Sequence, residues 1–185
     1  MSAIGRYEYA DGTWREIELL LALALPPSSR LVRSEKQEDY AGTDGVYYVG
    51  ASVPVAVRVR YNRPPYAPDV DVTYRITEPA KIAAGTYAPL LLFAWINDGV
   101  AAHGKLVDVY RWYNATRDAN RVTTSNGDRT AWFPVPIEEL YATRALLRQG
   151  NRREWGEAWY GATDRVADIV ATYKAPPVSQ LGECW

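Results

Sequence analysis

Apolar residues dominate the first regular segment of the chain, Thr13–Leu25, in which leucine, isoleucine and alanine follow one another with few polar interruptions. Thr13 and Glu16 have the spacing of a capping box, which predicts a helix that begins at Thr13. The two prolines directly after this segment end the helix. Because only Glu16 and Glu18 break the apolar pattern beyond the first turn, we expect the helix to be buried on most sides. A carboxylate there, Glu18, then requires a metal or an arginine as partner.

Strand-like patterns follow after a polar connector. Apolar and polar residues alternate with a period of two, which is typical of half-buried strands. The strands predicted in this way are Val53–Tyr61, Val70–Ile76 and Leu106–Tyr113, and Gly45–Gly50 also has strand character. A continuous apolar run, Leu90–Ile96, predicts a central strand that is covered on both faces. Between them, Glu78–Gly85 has a proline in its first turn and a glycine at its end, which predicts a short helix.

The last third of the chain has a different pattern. Residues 114–129 are polar and loop-like, Ile137–Arg148 has the spacing of an amphipathic helix, and Asp164–Tyr173 predicts another helix. The order of elements predicts a single α/β domain over residues 1–185, with a mixed central β-sheet flanked by helices. We expect a core over residues 13–113 and a helical elaboration over residues 114–185.

Composition excludes several classes of protein. Apolar residues make up 48% and charged residues 23% of the 185, which is typical of a folded globular domain. No apolar run approaches the about 20 residues of a membrane helix, and the first residues carry no pattern of a secretory signal. One cysteine, Cys184, cannot form an intrachain disulfide, so we expect a reducing, cytoplasmic environment. The net charge of −1 gives no overall attraction to nucleic acid or membranes.

Few residues carry the patterns of known catalytic or nucleotide sites. His103 is the single histidine of the sequence, and its surroundings, AAHGK, predict a solvated turn between two strands. Glycine-rich phosphate loops and the hydrolase nucleophile motif do not occur in the sequence. Carboxylates with basic neighbours remain, and these are the groups that Mg²⁺-dependent phosphoryl chemistry uses.

Such groups are concentrated between residues 35 and 75. Asp44 lies where the first predicted strand begins, and the next strand carries Arg58 and Arg60, whose spacing of two places them on one face. If the two strands form a hairpin, Asp44 and the arginine pair converge at one end of the sheet. Glu18 on the first helix could approach the same end.

These residues resemble the restriction-endonuclease-like fold, whose nuclease signature is PD-(D/E)XK. The resemblance covers residues 13–113 in the order helix, three strands, helix, strand. The sequence is similar in particular to small phage-type members of this family. The residues that match their pattern are Glu38-Asp39 with Gly42 and Asp44, and Asp71 with Arg75. The resemblance implies a nucleic-acid-processing protein of phage or prokaryotic type that cleaves phosphodiesters with Mg²⁺ or Mn²⁺.

The resemblance also implies roles for individual residues. Asp44 would be the metal-ligating aspartate, and Glu18 would complete the metal shell or orient a metal-bound water. Arg60 would occupy the lysine position that stabilises developing charge. The sequence departs from the pattern at three places: Arg58 stands where the family has an acid or glutamine, arginine replaces the lysine, and Thr43 replaces the proline. A guanidinium does not ligate a cation.

Two interpretations follow from these departures. Another carboxylate completes the metal shell, the candidates being Glu38, Asp39, Asp69 and Asp71. Alternatively the site is inactive and leaves a phosphate-binding face, made of Arg58, Arg60, Arg63 and Arg75. In that case the chain binds DNA, or a host or phage protein as an accessory factor or inhibitor.

A third interpretation is structural. Asp44 then caps a turn, and Arg58 and Arg60 form the solvated side of a half-exposed strand, where arginine also opposes edge-to-edge aggregation. The resemblance would in that case extend to the fold alone. An Arg58 side chain engaged in salt bridges would indicate a structural role for this position.

Overall fold

A computed structural model describes residues 3–25, 30–33, 45–49, 53–61, 72–97, 100–121, 123–125, 131–150 and 162–174. The helices of these ranges are α1 (Ala3–Ala24), α2 (Glu78–Ala83), α3 (Val109–Thr116), α4 (Ile137–Ala142) and α5 (Ala162–Thr172). The strands are β1 (Leu31–Arg33), β2 (Gly45–Val49), β3 (Val53–Tyr61), β4 (Val72–Arg75), β5 (Leu90–Asn97), β6 (Val100–Asp108), β7 (Thr124–Ser125), β8 (Ala131–Val135) and β9 (Leu146–Gly150).

Among the described residues, six strands form the central sheet in the order β1-β2-β3-β5-β6-β9. The β3 and β5 strands are parallel and all other neighbours are antiparallel, so the prediction of an α/β fold with a mixed central sheet is confirmed. The predicted hairpin also forms: Gly45 pairs with Val57, and Val49 pairs with Val53 at the turn. The segment that contains β4 and α2 makes the crossover that two parallel neighbours require.

The central strand β5 is buried on both faces, as its continuous apolar sequence predicted. Leu90, Leu92 and Ala94 belong to a core beneath α1, whereas Leu91 and Phe93 belong to a second core on the opposite face. The first core is closed by one stripe of α1, formed by Trp14, Ile17, Leu20, Leu21 and Ala24. The spacing of these positions is that of a single helix face.

A second, three-stranded sheet in the order β4-β8-β7 covers the other face of the central sheet. Its core is aromatic: the Tyr74 ring stacks on Trp112 with 4.4 Å between centroids and on Phe133 with 6.0 Å. The predicted strand Val70–Ile76 therefore exists in part, as β4, but it belongs to this sheet and not to the central one. The chain thus builds three layers: α1, the central sheet, and the second sheet with α2 and α3.

The first helix differs from its prediction in extent and burial. It begins at Ala3, ten residues before the expected cap at Thr13. Residues 3–12 contain no proline, so nothing in their backbone stops the helix from extending toward the N-terminus. Glu18 is exposed, so the expectation that it lies on a buried side is wrong. The physical reason is that α1 buries one stripe against the sheet, and Glu18 falls outside that stripe.

The segment around His103 is a strand and not a solvated turn. His103 pairs with Trp95 across β5 and β6, and its half-buried ring meets the Trp95 ring edge-on at 5.8 Å. Asn97 pairs with Val100, and the Asp98-Gly99 dipeptide between them in sequence is a strong hairpin signal that the prediction overlooked. The strand predicted over Leu106–Tyr113 is the end of this same strand, β6, which stops at Asp108. The Asp108 side chain accepts a hydrogen bond from the Arg111 N–H and caps α3.

The last third of the chain is not purely helical, because β7, β8 and β9 lie in it. Helix α5 agrees with its prediction, but the helix predicted over Ile137–Arg148 ends at Ala142. Arg144 has a φ of 54°, and the amide of Ala145 donates to the Leu140 carbonyl, which are the features of a Schellman helix end. The rest of that segment pairs with β6 as an edge strand, because sheet pairing overrides the local helical spacing.

We predict that Leu92→Ala lowers the free energy of unfolding by about 2–5 kcal/mol, because it leaves a cavity in a fully buried core. The matched control is Leu23→Ala on α1, where the leucine is 37% exposed. It should change the stability by less than about 0.5 kcal/mol. Urea unfolding of both variants measures the difference, and equal losses would contradict this assignment of the core.

A second prediction concerns Glu139, which joins α4 to α3. The Trp112 indole N–H donates to its Oε1 at 2.6 Å, and Arg121 donates to both oxygens at 2.7 and 2.8 Å. Burial raises the pKa of Glu139, but these hydrogen bonds outweigh it and hold the pKa below the ordinary value of 4.5. The unfolded chain therefore binds more protons in the window below 4.5, so this stabilisation is present above that pH and is lost as the pH falls.

We expect Glu139→Gln to remove about 1.5 kcal/mol of stability at pH 7. The difference between the wild type and this variant should shrink below pH 4.5. Unfolding curves from pH 3 to pH 7 test this, with exposed Glu138→Gln as the control. A difference that does not change with pH would contradict the charge-based explanation.

Candidate functional site

The residues implicated by the nuclease resemblance do not all lie in the part of the chain that the structure describes. Asp44, Arg63 and Asp71 lie outside the described residues, as do the alternative carboxylates Glu38, Asp39 and Asp69. The described candidates are Glu18, Arg58, Arg60 and Arg75. Helix α1, which carries Glu18, covers the face of β3 that bears Val55 and Val57. Arg58 and Arg60 alternate with those valines and therefore belong to the opposite face, so the sheet separates them from α1.

Arg58 is a buried side chain with specific partners. It is 3% exposed, and its guanidinium forms an ion pair with Glu78, which is 1% exposed. The same guanidinium donates a hydrogen bond to the carbonyl oxygen of Thr73 on β4. The expectation that Arg58 contributes to an accessible phosphate-binding face is therefore wrong. The spacing of two placed Arg58 and Arg60 on one face correctly, but the second sheet covers that face at Arg58.

Glu78 is also held by two further groups, the Arg75 amide and the Tyr87 hydroxyl. Its Oε2 accepts a hydrogen bond from the backbone N–H of Arg75 at 2.7 Å. Its Oε1 accepts one from the Tyr87 hydroxyl at 3.3 Å, in addition to the Arg58 ion pair. Burial raises the pKa of Glu78, while Arg58, the Arg75 amide and Tyr87 oppose that rise. Burial also raises the pKa of Tyr87, so its hydroxyl remains a donor at neutral pH.

The Arg58–Glu78 pair completes the open edge of β4. The Ile76 N–H donates to the Ala131 carbonyl of the neighbouring chain segment at 3.2 Å, so even-numbered residues of this strand direct their backbone groups toward β8. The backbone groups of Thr73 and Arg75 consequently point to the other edge, where no described strand of the second sheet pairs with them. Arg58 binds the Thr73 carbonyl and Glu78 binds the Arg75 N–H. Two side chains thus supply two of the hydrogen bonds that a neighbouring strand would otherwise supply.

This geometry does not fit a magnesium site at Arg58. The guanidinium has no lone pair to offer a cation. It also places a positive charge where the resembled family binds its metal ion. Within the described ranges, no group of three His, Cys, Asp or Glu side chains is arranged to hold a metal ion. Arg60 is exposed; its Nη2 lies 3.4 Å from the Thr73 hydroxyl, and its guanidinium carbon lies 5.7 Å from the Phe93 ring centroid.

A cleft of about 600 Å³ lies elsewhere on the molecule, between α3 and α5 and beside the end of α4. Helix α5 contributes Arg165 and Ile169, which are four residues apart on one helix face. Helix α3 contributes Arg111 and Asn114, which are three residues apart on one helix face. Tyr110 and Tyr173 supply aromatic surface. The volume lies within the range of about 300–1,000 Å³ that small-molecule sites occupy.

Asp108 organises the wall of this cleft. Its Oδ1 accepts the Arg111 backbone N–H at 3.0 Å, and its Oδ2 accepts from Arg165 Nη2 at 2.9 Å and Nε at 3.3 Å. The Arg111 Nε donates to the Thr143 carbonyl at 2.8 Å, which connects α3 to the end of α4. Burial raises the pKa of Tyr110 to about 12 and also raises the pKa of Tyr173, so both phenols are uncharged at neutral pH.

Sequence reasoning did not identify these cleft residues or Glu78. Asp108 lies within the strand predicted over Leu106–Tyr113, although an aspartate before a helical segment is a recognised N-cap signal. Glu78 was only the first residue of a predicted short helix, because no local pattern distinguishes it from an exposed acid. Arg111 and Arg165 lie 54 positions apart in sequence. Their proximity is therefore a property of the tertiary structure alone.

Comparisons of the chain with protein-family models, with curated proteins and with solved structures found no match. Among the described residues, no helix has the length and apolar character needed to cross a membrane.

We predict that Arg58→Met lowers the free energy of unfolding by about 3–5 kcal/mol, because it leaves the Glu78 carboxylate buried without its ion-pair partner. The double variant Arg58→Met/Glu78→Leu should recover part of that loss. Recovery should remain incomplete, since the Thr73 carbonyl and the Arg75 N–H lack their partners in the double variant as well. Chemical denaturation of the single and double variants measures both effects.

The matched control for this prediction is Arg60→Met, two residues along the same strand face. Because Arg60 is exposed, its removal should cost less than about 1 kcal/mol. Similar, small effects of Arg58→Met and Arg60→Met would show that the buried pair does not stabilise the fold.

Proposed function

We propose that this protein is a nucleic-acid-binding protein on a scaffold that resembles a nuclease, and that it binds without cleaving. The observation that supports this proposal is the buried Arg58–Glu78 pair. In the resembled family, the position of Arg58 carries a group that binds or orients the catalytic cation. Here that position stabilises the junction of the two sheets instead.

Metal-dependent cleavage is disfavoured on electrostatic grounds. A divalent cation beside Arg58 would add positive charge next to a guanidinium that is already buried. The Glu78 carboxylate, which could otherwise attract a cation, has both oxygens engaged by Arg58, Tyr87 and the Arg75 amide. Neither side chain of the pair is therefore available to a metal ion or to its bound water.

The arginines that remain accessible supply the nucleic-acid contact in this proposal. Arg60 is exposed near the end of β3, and Arg75 is half-buried at the end of β4. Thr73, two residues before Arg75 on β4, contacts Arg60 through its hydroxyl. Exposed guanidinium groups bind phosphate oxygens in a bidentate manner, which supports nucleic acid as the partner. Arg63 is a further candidate for nucleic-acid contact from the sequence. A cytoplasmic location is also part of this proposal.

The first test is cleavage of labelled single-stranded and double-stranded DNA and RNA with Mg²⁺, Mn²⁺ or EDTA. We expect no metal-dependent cleavage by the wild type. Cleavage that Asp44→Ala abolishes would overturn the proposal and establish a metal-dependent nuclease, with Asp44, Glu18 and Asp71 as the ligands to test next. Cleavage that persists in Asp44→Ala with EDTA would indicate a contaminating nuclease, and its disappearance after further purification would confirm that origin.

The second test measures binding by fluorescence anisotropy of labelled oligonucleotides at several salt concentrations. The variant Arg60→Gln/Arg75→Gln should bind more weakly than the wild type at low salt. The slope of log K against log salt should decrease by about 1 for each phosphate that the variant no longer binds. The control is Arg117→Gln, since Arg117 is exposed on the turn after α3. No binding by the wild type to any of the four nucleic-acid types would contradict the proposal and favour a protein partner.

A further inference from the structure

The cleft between α3 and α5 has the chemistry of a binding site. We propose that it binds a small organic anion, with Arg111 and Arg165 contacting its phosphate or carboxylate group and Tyr110 and Tyr173 contacting its organic part. This inference concerns a different region from the Arg58–Glu78 pair and does not rely on the proposed nucleic-acid-binding function.

Charge is the first observation that supports an anionic ligand. Two guanidinium groups and one carboxylate, Asp108, are the charged side chains that line the cleft among the described residues. The Asp108 carboxylate is 6% exposed, and its oxygens are engaged by Arg165 and by the Arg111 amide. Both carboxylate oxygens are therefore already engaged by donors of the protein. The cleft keeps an excess of one positive charge.

The second observation is how Arg111 is anchored. Its Nε is occupied by the Thr143 carbonyl, which fixes the orientation of the planar group. Within the part of the chain that the structure describes, neither of its Nη atoms makes a hydrogen bond. An arginine that lines a cleft and is held at Nε is pre-organised for bidentate contact with an oxyanion.

Arg165 is arranged in a complementary way from the opposite wall. Its Nε and Nη2 bind Asp108, and the side chain is 44% exposed. Asp108 therefore fixes both cationic walls, since it holds α3 by capping its first turn and holds α5 through Arg165. Asn114 adds an exposed amide that can donate or accept on the same face as Arg111.

The organic part of the ligand is inferred from the remaining surface. Tyr110 donates its hydroxyl to the Tyr87 carbonyl at 2.7 Å, so its ring is fixed against the protein. Tyr173 follows α5 directly, and Ile169 lies one turn earlier, with the Tyr173 N–H donating to its carbonyl. Two uncharged phenol rings and an aliphatic side chain beside the guanidinium pair suit a ligand that joins an apolar or aromatic body to one anionic group.

The test uses three ligands that share one ring system: 1-naphthyl phosphate, 1-naphthoate and 1-naphthol. Binding is followed by chemical-shift changes in two-dimensional NMR spectra of the full chain. We expect at least one of the two anions to bind at least tenfold more tightly than 1-naphthol, with shifts at the amides of α3 and α5. Preference for the phosphate or for the carboxylate then assigns the anionic group.

Variants separate anion recognition from general structure. Arg111→Gln should weaken anion binding at least tenfold and leave 1-naphthol binding unchanged, and Arg111→Lys should fall between it and the wild type. Because Arg111 also anchors α4, Asn114→Asp provides a second variant at an exposed position. The added negative charge should weaken anion binding severalfold without affecting 1-naphthol. Arg117→Gln, which lies outside the cleft, should behave like the wild type.

Two results would overturn the inference. The first is the absence of any shift at α3 and α5 with either anion at millimolar concentration. The second is binding of the two anions that neither Arg111→Gln nor Asn114→Asp weakens, since that would place the contact elsewhere or assign it to the apolar surface alone.

Discussion

A buried ion pair between Arg58 of β3 and Glu78 of α2 links the central sheet to β4, because the two side chains bind the Thr73 carbonyl and the Arg75 N–H. Burying two charges is favourable only when their remaining hydrogen-bonding groups are also satisfied, and here the Thr73 carbonyl, the Arg75 N–H and the Tyr87 hydroxyl do so. The pair therefore links the central sheet to the open edge of the second sheet. Because this edge has no strand neighbour among the described residues, the position of the second sheet depends on these two side chains as well as on the aromatic core.

The aromatic core and the ion pair have complementary roles. Stacked rings of Tyr74, Trp112 and Phe133 contribute buried area, which is large but weakly directional. Hydrogen bonds from Arg58 and Glu78 are directional and satisfy particular backbone atoms. The combination specifies both that the sheets associate and in which register β4 lies over β3. An arginine at this position is thus explained by the fold, whatever its ancestry.

Asp108 has a comparable role at the end of β6. It ends β6, caps α3 and binds Arg165 of α5, so one carboxylate determines the spacing of the two helices that form the cleft. The cleft and the ion pair are consequently separate features of the chain. The first presents arginine side chains to solvent, whereas the second removes an arginine from solvent. Residue type alone does not distinguish the two situations, because the surroundings decide what the guanidinium does.

Local sequence patterns were sufficient to predict four elements. These are the β2–β3 hairpin, the continuous apolar strand β5, the short helix α2 and the helix α5. The sequence pattern did not determine which face of a strand is covered, so Arg58 and Arg60 looked equivalent until the second sheet buried one of them. The sequence pattern also did not determine whether Glu18 is buried, because the burial of a helix depends on how many elements pack against it. Residues 146–148 belong to the helix predicted over Ile137–Arg148 but lie in β9, since β6 offers them a hydrogen-bonding edge. Sequence therefore specified the local conformations that short-range sterics and hydrogen bonding control, and the tertiary structure alone decided the burial, pairing and charge partners that depend on residues far apart in the chain.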